Sequence, residues 1–102
     1  MTNPLTQGLR PVHPGEMLRE DILPAVGRPK AEIARLLGIS RQTLYDILGE
    51  KQPVTPAMAL RLARMFGGSA ESWVNMQRNY DLKIAERELG DALNAIPRLE
   101  AA

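Results

Sequence analysis

The sequence predicts an all-α protein, a compact bundle of about five helices with an extended C-terminal helix. Proline and glycine divide the chain into short pieces, and in each piece the apolar residues recur at helical spacing. No stretch shows the strict alternation of apolar and polar residues that is typical of a strand. The chain has 102 residues, which is enough for one small domain with a modest core.

The first three helices are predicted from proline, glycine and serine. The first begins at Pro14, because proline is tolerated in a first turn, and it is expected to end at Pro24. The second begins at Pro29 and ends at Gly38, since glycine readily takes the left-handed conformation of a helix end. The third follows at once, with Ser40 as its N-cap. The apolar stripe of the second helix consists of Ile33, Ala34, Leu36 and Leu37.

The fourth and fifth helices have similar start signals. Thr55 caps the fourth helix and Pro56 occupies its first position, and a pair of glycines ends it. Ser69 caps the fifth helix, which is expected to continue over residues 80–96, where apolar residues recur at spacings of three, four and seven. Gly90 interrupts that stretch, at a cost of about 1 kcal/mol relative to alanine.

Residues 31–48, AEIARLLGISRQTLYDIL, have the features of a helix–turn–helix. Two short helices of this kind need a tight turn between them, and Gly38 supplies it because glycine has access to positive φ. Ala34 is small enough for a close helix crossing, and Ile39 can fill the junction. The third helix then buries its apolar residues, Leu44, Ile47 and Leu48.

The polar side of the third helix suits the reading of DNA bases. Arginine can pair with guanine and glutamine with adenine, and residues near the helix N-terminus reach the base edges in this motif. The predicted base-contacting residues are Arg41, Gln42, Tyr45 and Asp46. Two of them have a second interpretation: Asp46 can hold Gln42 or Arg41 in place, and Tyr45 can be a partly packed surface residue.

Charge is distributed unevenly along the chain. The net charge is only +1, but basic residues outnumber acidic ones as far as Gly68, and acidic residues outnumber basic ones from Ser69 onward. A basic front half points to nucleic acid at that end of the molecule. The predicted phosphate-contacting residues are Arg28, Lys30, Ser40, Thr43 and Lys51. The alternative is a helical hairpin with a solvated polar face.

Several motifs follow one another along the chain: HPGEML, ILP, LGISRQTL, VTPAMALRLARMFG and ESWVNMQRNYDL, which together run from about His13 to Leu82, most of the chain. In this order they resemble the HigA/VapI family of antidote proteins of toxin–antitoxin modules. The domain of that family is a helix–turn–helix of the Cro/phage-repressor class. One departure is Gly49-Glu50, because in many relatives the corresponding pair resembles Asn-Gly. The loop is therefore expected to turn differently, and the acid to weaken the phosphate role of Lys51.

The resemblance implies a sequence-specific DNA-binding antitoxin. Such a protein binds a palindromic operator as a homodimer, represses its own operon and neutralises a HigB-type mRNA-cleaving ribonuclease toxin. By position in the motif, the resemblance implies that Arg41, Gln42 and Asp46 face bases, and that Lys30, Ser40 and Thr43 face phosphates. Two other functions stay open. One is a plain phage-type transcriptional repressor without a toxin, and the other is a toxin-binding adaptor whose helix–turn–helix has lost DNA binding.

The apolar stripe of the C-terminal helix can pack on its own domain or on a two-fold mate. Dimers of this motif bind half-sites about one helical turn apart, so a dimer surface is needed, and dimerisation is favoured. The predicted dimerisation residues are Trp73, Leu82, Ala85, Leu89, Leu93 and Ile96, although Trp73 is also expected to fill the core. The predicted divisions are a flexible segment (1–12), a helix–turn–helix DNA-binding domain (13–80) and a C-terminal helical extension with a short frayed tail (81–102).

The sequence argues against an enzyme, a metal site and a membrane protein. No nucleophile–base pair and no phosphate-binding glycine loop is present, so neither catalytic residues nor a cofactor are expected. Cysteine is absent and His13 is the only histidine, which excludes an ordinary zinc site and leaves His13 a local role beside the Pro14 helix start. The absence of a long apolar run and of signal-peptide features leads us to expect a cytoplasmic protein.

Overall fold

The computed structural model describes residues 10–100, and within that range it contains helices and no strands, which confirms the predicted all-α class. The predicted flexible segment lies largely outside the described residues, as do the last two residues of the tail. No helix in the described range is long and apolar enough to cross a bilayer. The helices are α1 (the successive stretches Pro14–Met17, Leu18–Ile22 and Leu23–Val26), α2 (Lys30–Leu37), α3 (Arg41–Leu48), α4 (Pro56–Phe66), α5 (Ala70–Leu89) and α6 (Asp91–Asn94).

The prediction that Pro24 ends the first helix is wrong. The middle stretch of α1 is a turn of π-helix, in which the N–H of Leu23 donates to the carbonyl of Leu18, five residues back. In a regular α-helix a proline ring collides with the carbonyl four residues earlier, and a π-turn just before the proline changes that geometry. The helix therefore continues past the proline until Gly27, at φ 71°, ends it.

The predicted starts of α3, α4 and α5 are confirmed by their caps. The side-chain oxygens of Ser40, Thr55 and Ser69 each accept a hydrogen bond from the N–H three residues further on, at 3.0, 3.2 and 3.1 Å. A cap of this kind stabilises a helix by about 1 kcal/mol. The predicted end of α2 is also confirmed, since Gly38 takes φ 76° there.

The core is aliphatic and lies where α1 to α4 meet the first half of α5. Its largest fully buried hydrophobic side chains are Leu18, Ile33, Leu44, Ile47 and Leu62. Trp73 joins them from α5, as expected for a core residue. Leu36 does not belong to this core: the periodicity placed it in the buried stripe of α2, but it is 51% exposed.

The fifth helix ends earlier than predicted. It runs without a break as far as Leu89, and Gly90, at φ 48° and ψ −123°, ends it rather than interrupting it. Only the short α6 follows, so the last residues of the predicted 80–96 helix are not helical. A helix of 20 residues is about 30 Å long, and the molecule measures 55 × 31 × 22 Å. The compact bundle therefore carries an elongated C-terminal part.

Candidate nucleic-acid interface

A helix–turn–helix is formed by α2, a short turn and α3. Gly38 takes positive φ in the turn, and the N–H of Ile39 donates to the carbonyl of Ala34 at 3.0 Å. Ala34 is fully buried and Ile39 packs against the core, as the sequence predicted. The side chains that α3 buries are Leu44, Ile47 and Leu48. The polar side of α3 therefore faces solvent.

Three of the four predicted base-contacting residues are exposed on α3. They are Arg41, Gln42 and Tyr45, whereas Asp46 is half-buried. The Nε2 of Gln42 donates to the Oδ1 of Asp46 at 2.8 Å, which is the second interpretation of Asp46, that it holds Gln42 in place. This bond leaves the Gln42 carbonyl oxygen and one N–H to meet the donor and the acceptor of an adenine edge.

The basic residues predicted to contact phosphates differ in what already binds them. Lys30, at the start of α2, and Lys51, after α3, are exposed, and neither forms an ion pair with another residue in 10–100. Arg28 is engaged, because its Nη1 lies 2.6 Å from the carboxylate of Glu32. A phosphate would have to compete with that carboxylate for Arg28, so the two lysines are the more available cations.

Ser40 and Thr43 form a hydroxyl pair at the N-terminus of α3. The Oγ of Ser40 accepts from the Thr43 N–H at 3.0 Å and lies 2.8 Å from the Thr43 Oγ1, to which it donates. A hydroxyl has one donor and two acceptor positions, so the Thr43 O–H can still donate outward. Capping is thus the first role of Ser40, and Thr43 keeps a hydrogen for a phosphate oxygen.

The C-terminal end of α3 turns through Glu50, which takes the left-handed conformation at φ 61°. This conformation costs a residue other than glycine roughly 1–2 kcal/mol. The N–H of Glu50 donates to the Ile47 carbonyl at 3.0 Å, and that of Lys51 to the Asp46 carbonyl at 2.8 Å. The Glu50 carboxylate lies 3.4 Å from the Arg19 guanidinium of α1. Its charge is therefore partly balanced, which reduces the expected weakening of Lys51.

The start of α1 packs against the end of α3. A Cβ on Gly15 would lie 1.8 Å from the carbonyl oxygen of Ile47, so only glycine fits there. His13 is buried, and its Nδ1 accepts a hydrogen bond from the Gly15 N–H at 2.9 Å. Burial lowers the pKa of His13, which favours the neutral ring that an accepting nitrogen requires. The predicted local role of His13 at this helix start is confirmed.

Two residues that hold the site together were missed by the sequence analysis. Gln77 of α5 is only 6% exposed, and its Oε1 accepts from the N–H of Val54 at 2.8 Å while its Nε2 donates to Asp81 at 2.9 Å. Its place four residues after the buried Trp73, on the same helix face, is the signal that could have found it. The second is Arg61 of α4, whose Nη1 donates to the carbonyl at the end of α2, 2.6 Å away.

The predicted dimerisation residues of the C-terminal stripe are exposed within one chain, with one exception. Leu82, Leu89, Leu93, Ile96 and Ala85 are all on the surface, and Ile96 is 66% exposed. The alternative, that the stripe packs on its own domain, is therefore wrong for the described residues. The exception is Trp73, which is 4% exposed and fills the core, so it offers no area to a partner.

The chain matches known proteins over the part that forms this site. The family model described as "Helix-turn-helix" matches residues 18–73. Virulence-associated protein I of Dichelobacter nodosus is 46% identical over 77 residues, which is 76% of this chain and 71% of the relative. An uncharacterized HTH-type transcriptional regulator of Haemophilus influenzae is 32% identical over 72% of this chain and 68% of the relative.

A solved structure is similar as well. It is the structure of Pseudomonas aeruginosa antitoxin HigA with higBA promoter, and it has a TM-score of 0.84 and 38% sequence identity, over 89% of this chain and 100% of that chain. Fold, helix–turn–helix and sequence identity agree. The chain belongs to the HigA/VapI family of helix–turn–helix proteins.

Proposed function

We propose that the chain is the antitoxin of a type II toxin–antitoxin module. As a homodimer it binds a palindromic operator near its own gene, represses that operon, and binds and neutralises a HigB-type mRNA-cleaving ribonuclease. The observation that carries the proposal is the exposed N-terminal half of α3, where Arg41 stands beside a Gln42 that is held by Asp46. A side chain held in one rotamer loses less entropy when it binds a base.

Charge supports the DNA half of the proposal. Lys30 and Arg41 begin the two helices of the helix–turn–helix, and Lys51 follows the second. None of the three forms an ion pair with another residue in 10–100. Cations of this kind displace the counterions of DNA, so binding weakens as salt rises. The similar structure of HigA with higBA promoter supports the same use of the fold. Arg41, Gln42, Tyr45 and Asp46 are proposed to face bases, and Arg28, Lys30, Ser40, Thr43 and Lys51 to face phosphates.

The exposed C-terminal stripe supports a homodimer. Five apolar residues of α5, α6 and the stretch after them face solvent, and no other residue in 10–100 covers them; they are Leu82, Ala85, Leu89, Leu93 and Ile96. Covering them against a second copy would join two α3 helices in one dimer, and a palindromic operator needs two reading helices. We keep the division into a DNA-binding domain (13–80) and a C-terminal extension (81–102) on this ground, although residue 81 lies inside α5.

A titration of labelled duplex containing the region upstream of the gene tests the DNA half. The double variant Arg41→Ala, Gln42→Ala should lose at least about tenfold in affinity, since each bidentate base contact contributes about 1–3 kcal/mol of discrimination. The matched control is Arg64→Ala, which removes the same charge from the exposed side of α4. Equal losses in the two variants would show that α3 is not the reading helix.

Co-expression with the neighbouring small open reading frame tests the toxin half. A toxin partner should co-purify with the chain, and growth arrested by that partner should recover when the chain is supplied. The plain transcriptional repressor is the second candidate, and the Haemophilus influenzae relative, named a transcriptional regulator, favours it. That candidate predicts operator binding without any co-purifying protein and without growth rescue.

A further inference from the structure

Helix α1 contacts the C-terminal end of α3 and the loop that follows it. The backbone of Gly15 approaches the Ile47 carbonyl too closely for any Cβ. Further along α1, the Nη1 of Arg19 donates to the carbonyl of Leu48 at 2.5 Å and lies 3.4 Å from the Oε2 of Glu50. Arg19 itself is half-buried, in the π-helical stretch of α1. The base-facing helix is thus held at one end by α1.

The hydrogen bonds at that end of α3 give Arg19 a specific task. The last four carbonyls of an α-helix have no partner within the helix. Those of Tyr45, Asp46 and Ile47 accept from backbone N–H groups of residues 49–52. The carbonyl of Leu48 accepts from the Arg19 side chain. Arg19 therefore completes the set, and it does so from a residue 29 positions away in the chain.

Glu50 is held on the other side of the same guanidinium. Its left-handed φ of 61° is unfavourable for a residue with a Cβ and persists only where the surroundings enforce it. The ion pair with Arg19 is one such constraint, with the side chains 38% and 26% exposed. Arg19 thus joins the last turn of α3 and the loop that follows it into one unit.

A small tilt of α3 at this contact would move the proposed base-facing residues at the other end of the helix. An eight-residue helix is about 12 Å long, so a tilt of about 10° at its C-terminal end moves the other end by about 2 Å. A hydrogen bond to a base tolerates only a few tenths of an ångström around its preferred length. We propose that Arg19 is a positioning residue: through the Leu48 carbonyl and Glu50 it sets the angle of α3, and so the selectivity of operator binding. The proposal rests on the proposed DNA-binding function.

The test compares two duplexes, one with the region upstream of the gene and one with the same bases in scrambled order. In the full-length protein, Arg19→Gln should lower the ratio of the two affinities by about tenfold, as if one base contact were lost. The matched control is Arg64→Gln, which removes the same charge from the exposed side of α4. Both variants should bind the scrambled duplex equally.

A double-mutant cycle separates positioning from simple destabilisation. Glu50→Gln alone should lower the ratio about threefold, and in the Arg19→Gln background it should have no further effect, because the pair acts through one contact. Arg19→Lys keeps the charge without the planar fork, and should restore part of the ratio. If Arg19→Gln does not fold, the affinity ratio of Glu50→Gln, compared with that of the wild-type protein, decides.

Two results would overturn the proposal in different ways. A ratio unchanged in Arg19→Gln and Glu50→Gln, in a protein that prefers the upstream duplex, refutes the positioning role alone. A wild-type protein that binds both duplexes equally refutes operator recognition itself, and the positioning role with it.

Discussion

Replacing Gly15 by alanine tests how α1 packs against α3. The new Cβ would lie 1.8 Å from the carbonyl oxygen of Ile47 and 2.8 Å from its carbon. An ordinary contact between carbon and oxygen is about 3.3 Å or longer, so α1 or α3 must retreat by about 1.5 Å. The neighbouring core residue Leu18, which is 1% exposed, loses contacts in that retreat.

Two effects of this substitution have opposite signs. Alanine favours a helix over glycine by about 1 kcal/mol. Overpacking of a close contact destabilises a protein by about 1–3 kcal/mol, and occasionally by more. Because the clash involves backbone atoms, which cannot rotate away, the upper part of that range applies and the net loss should be about 2 kcal/mol. For a domain of this size the melting temperature should fall by about 10 °C.

Thermal unfolding followed by circular dichroism measures this effect, with Gly27→Ala as the control. Gly27 takes φ 71°, but a Cβ there meets no atom within 4 Å. Its substitution should therefore cost only the left-handed strain, about 1 kcal/mol. An increase in melting temperature for Gly15→Ala, as helix propensity alone predicts, would refute the close approach of α1 to α3.

Three further predictions concern other contacts of the fold. Burial lowers the pKa of His13, so the stability that its neutral ring contributes is complete above the unfolded-state pKa of about 6.5 and is lost as pH falls below it. The free energy of unfolding, measured in urea, should therefore drop from pH 7.5 to pH 5 more in the wild type than in His13→Asn. Gln77→Ala leaves the buried Val54 N–H without its acceptor and should cost about 1–3 kcal/mol in the same assay, whereas Asp81→Ala, which removes only the outer bond, should cost less. Gly38→Ala should lower the melting temperature more than Gly27→Ala does, because its Cβ would also lie 2.7 Å from the Arg61 Nη1 and displace the hydrogen bond that this atom donates to the Leu37 carbonyl; equal effects would argue against a contribution from that hydrogen bond.

The helix starts could be predicted because they depend on neighbours in the chain. Ser40, Thr55 and Ser69 each bond to an N–H only three residues away, so the residue type and its position beside a helical stripe are sufficient. The turn at Gly38 is equally local, since it depends on the φ of one residue. The helix–turn–helix and its exposed polar face follow from these local rules.

The rule for Pro24 failed because packing across the molecule decided the geometry. Leu18 and Leu23 are both buried, yet five residues apart they would lie on different sides of an α-helix. A π-turn between them brings both toward the core, and the same turn admits the proline. A local rule for proline does not account for packing in a core that forms only when the other helices are in place.

The sequence by itself determined the all-α class, the caps, the helix–turn–helix and the polar face of α3, because each depends on residues within one or two helical turns. The tertiary structure alone decided what fixes α3 and the loop after it: the close approach of Gly15 and the Arg19 contact to Leu48 across 29 positions hold the helix, and the Gln77 contact to Val54 across 23 positions holds the loop. Contacts between residues so far apart leave no periodic pattern in one sequence. They become visible only when the packed core has brought the helices together.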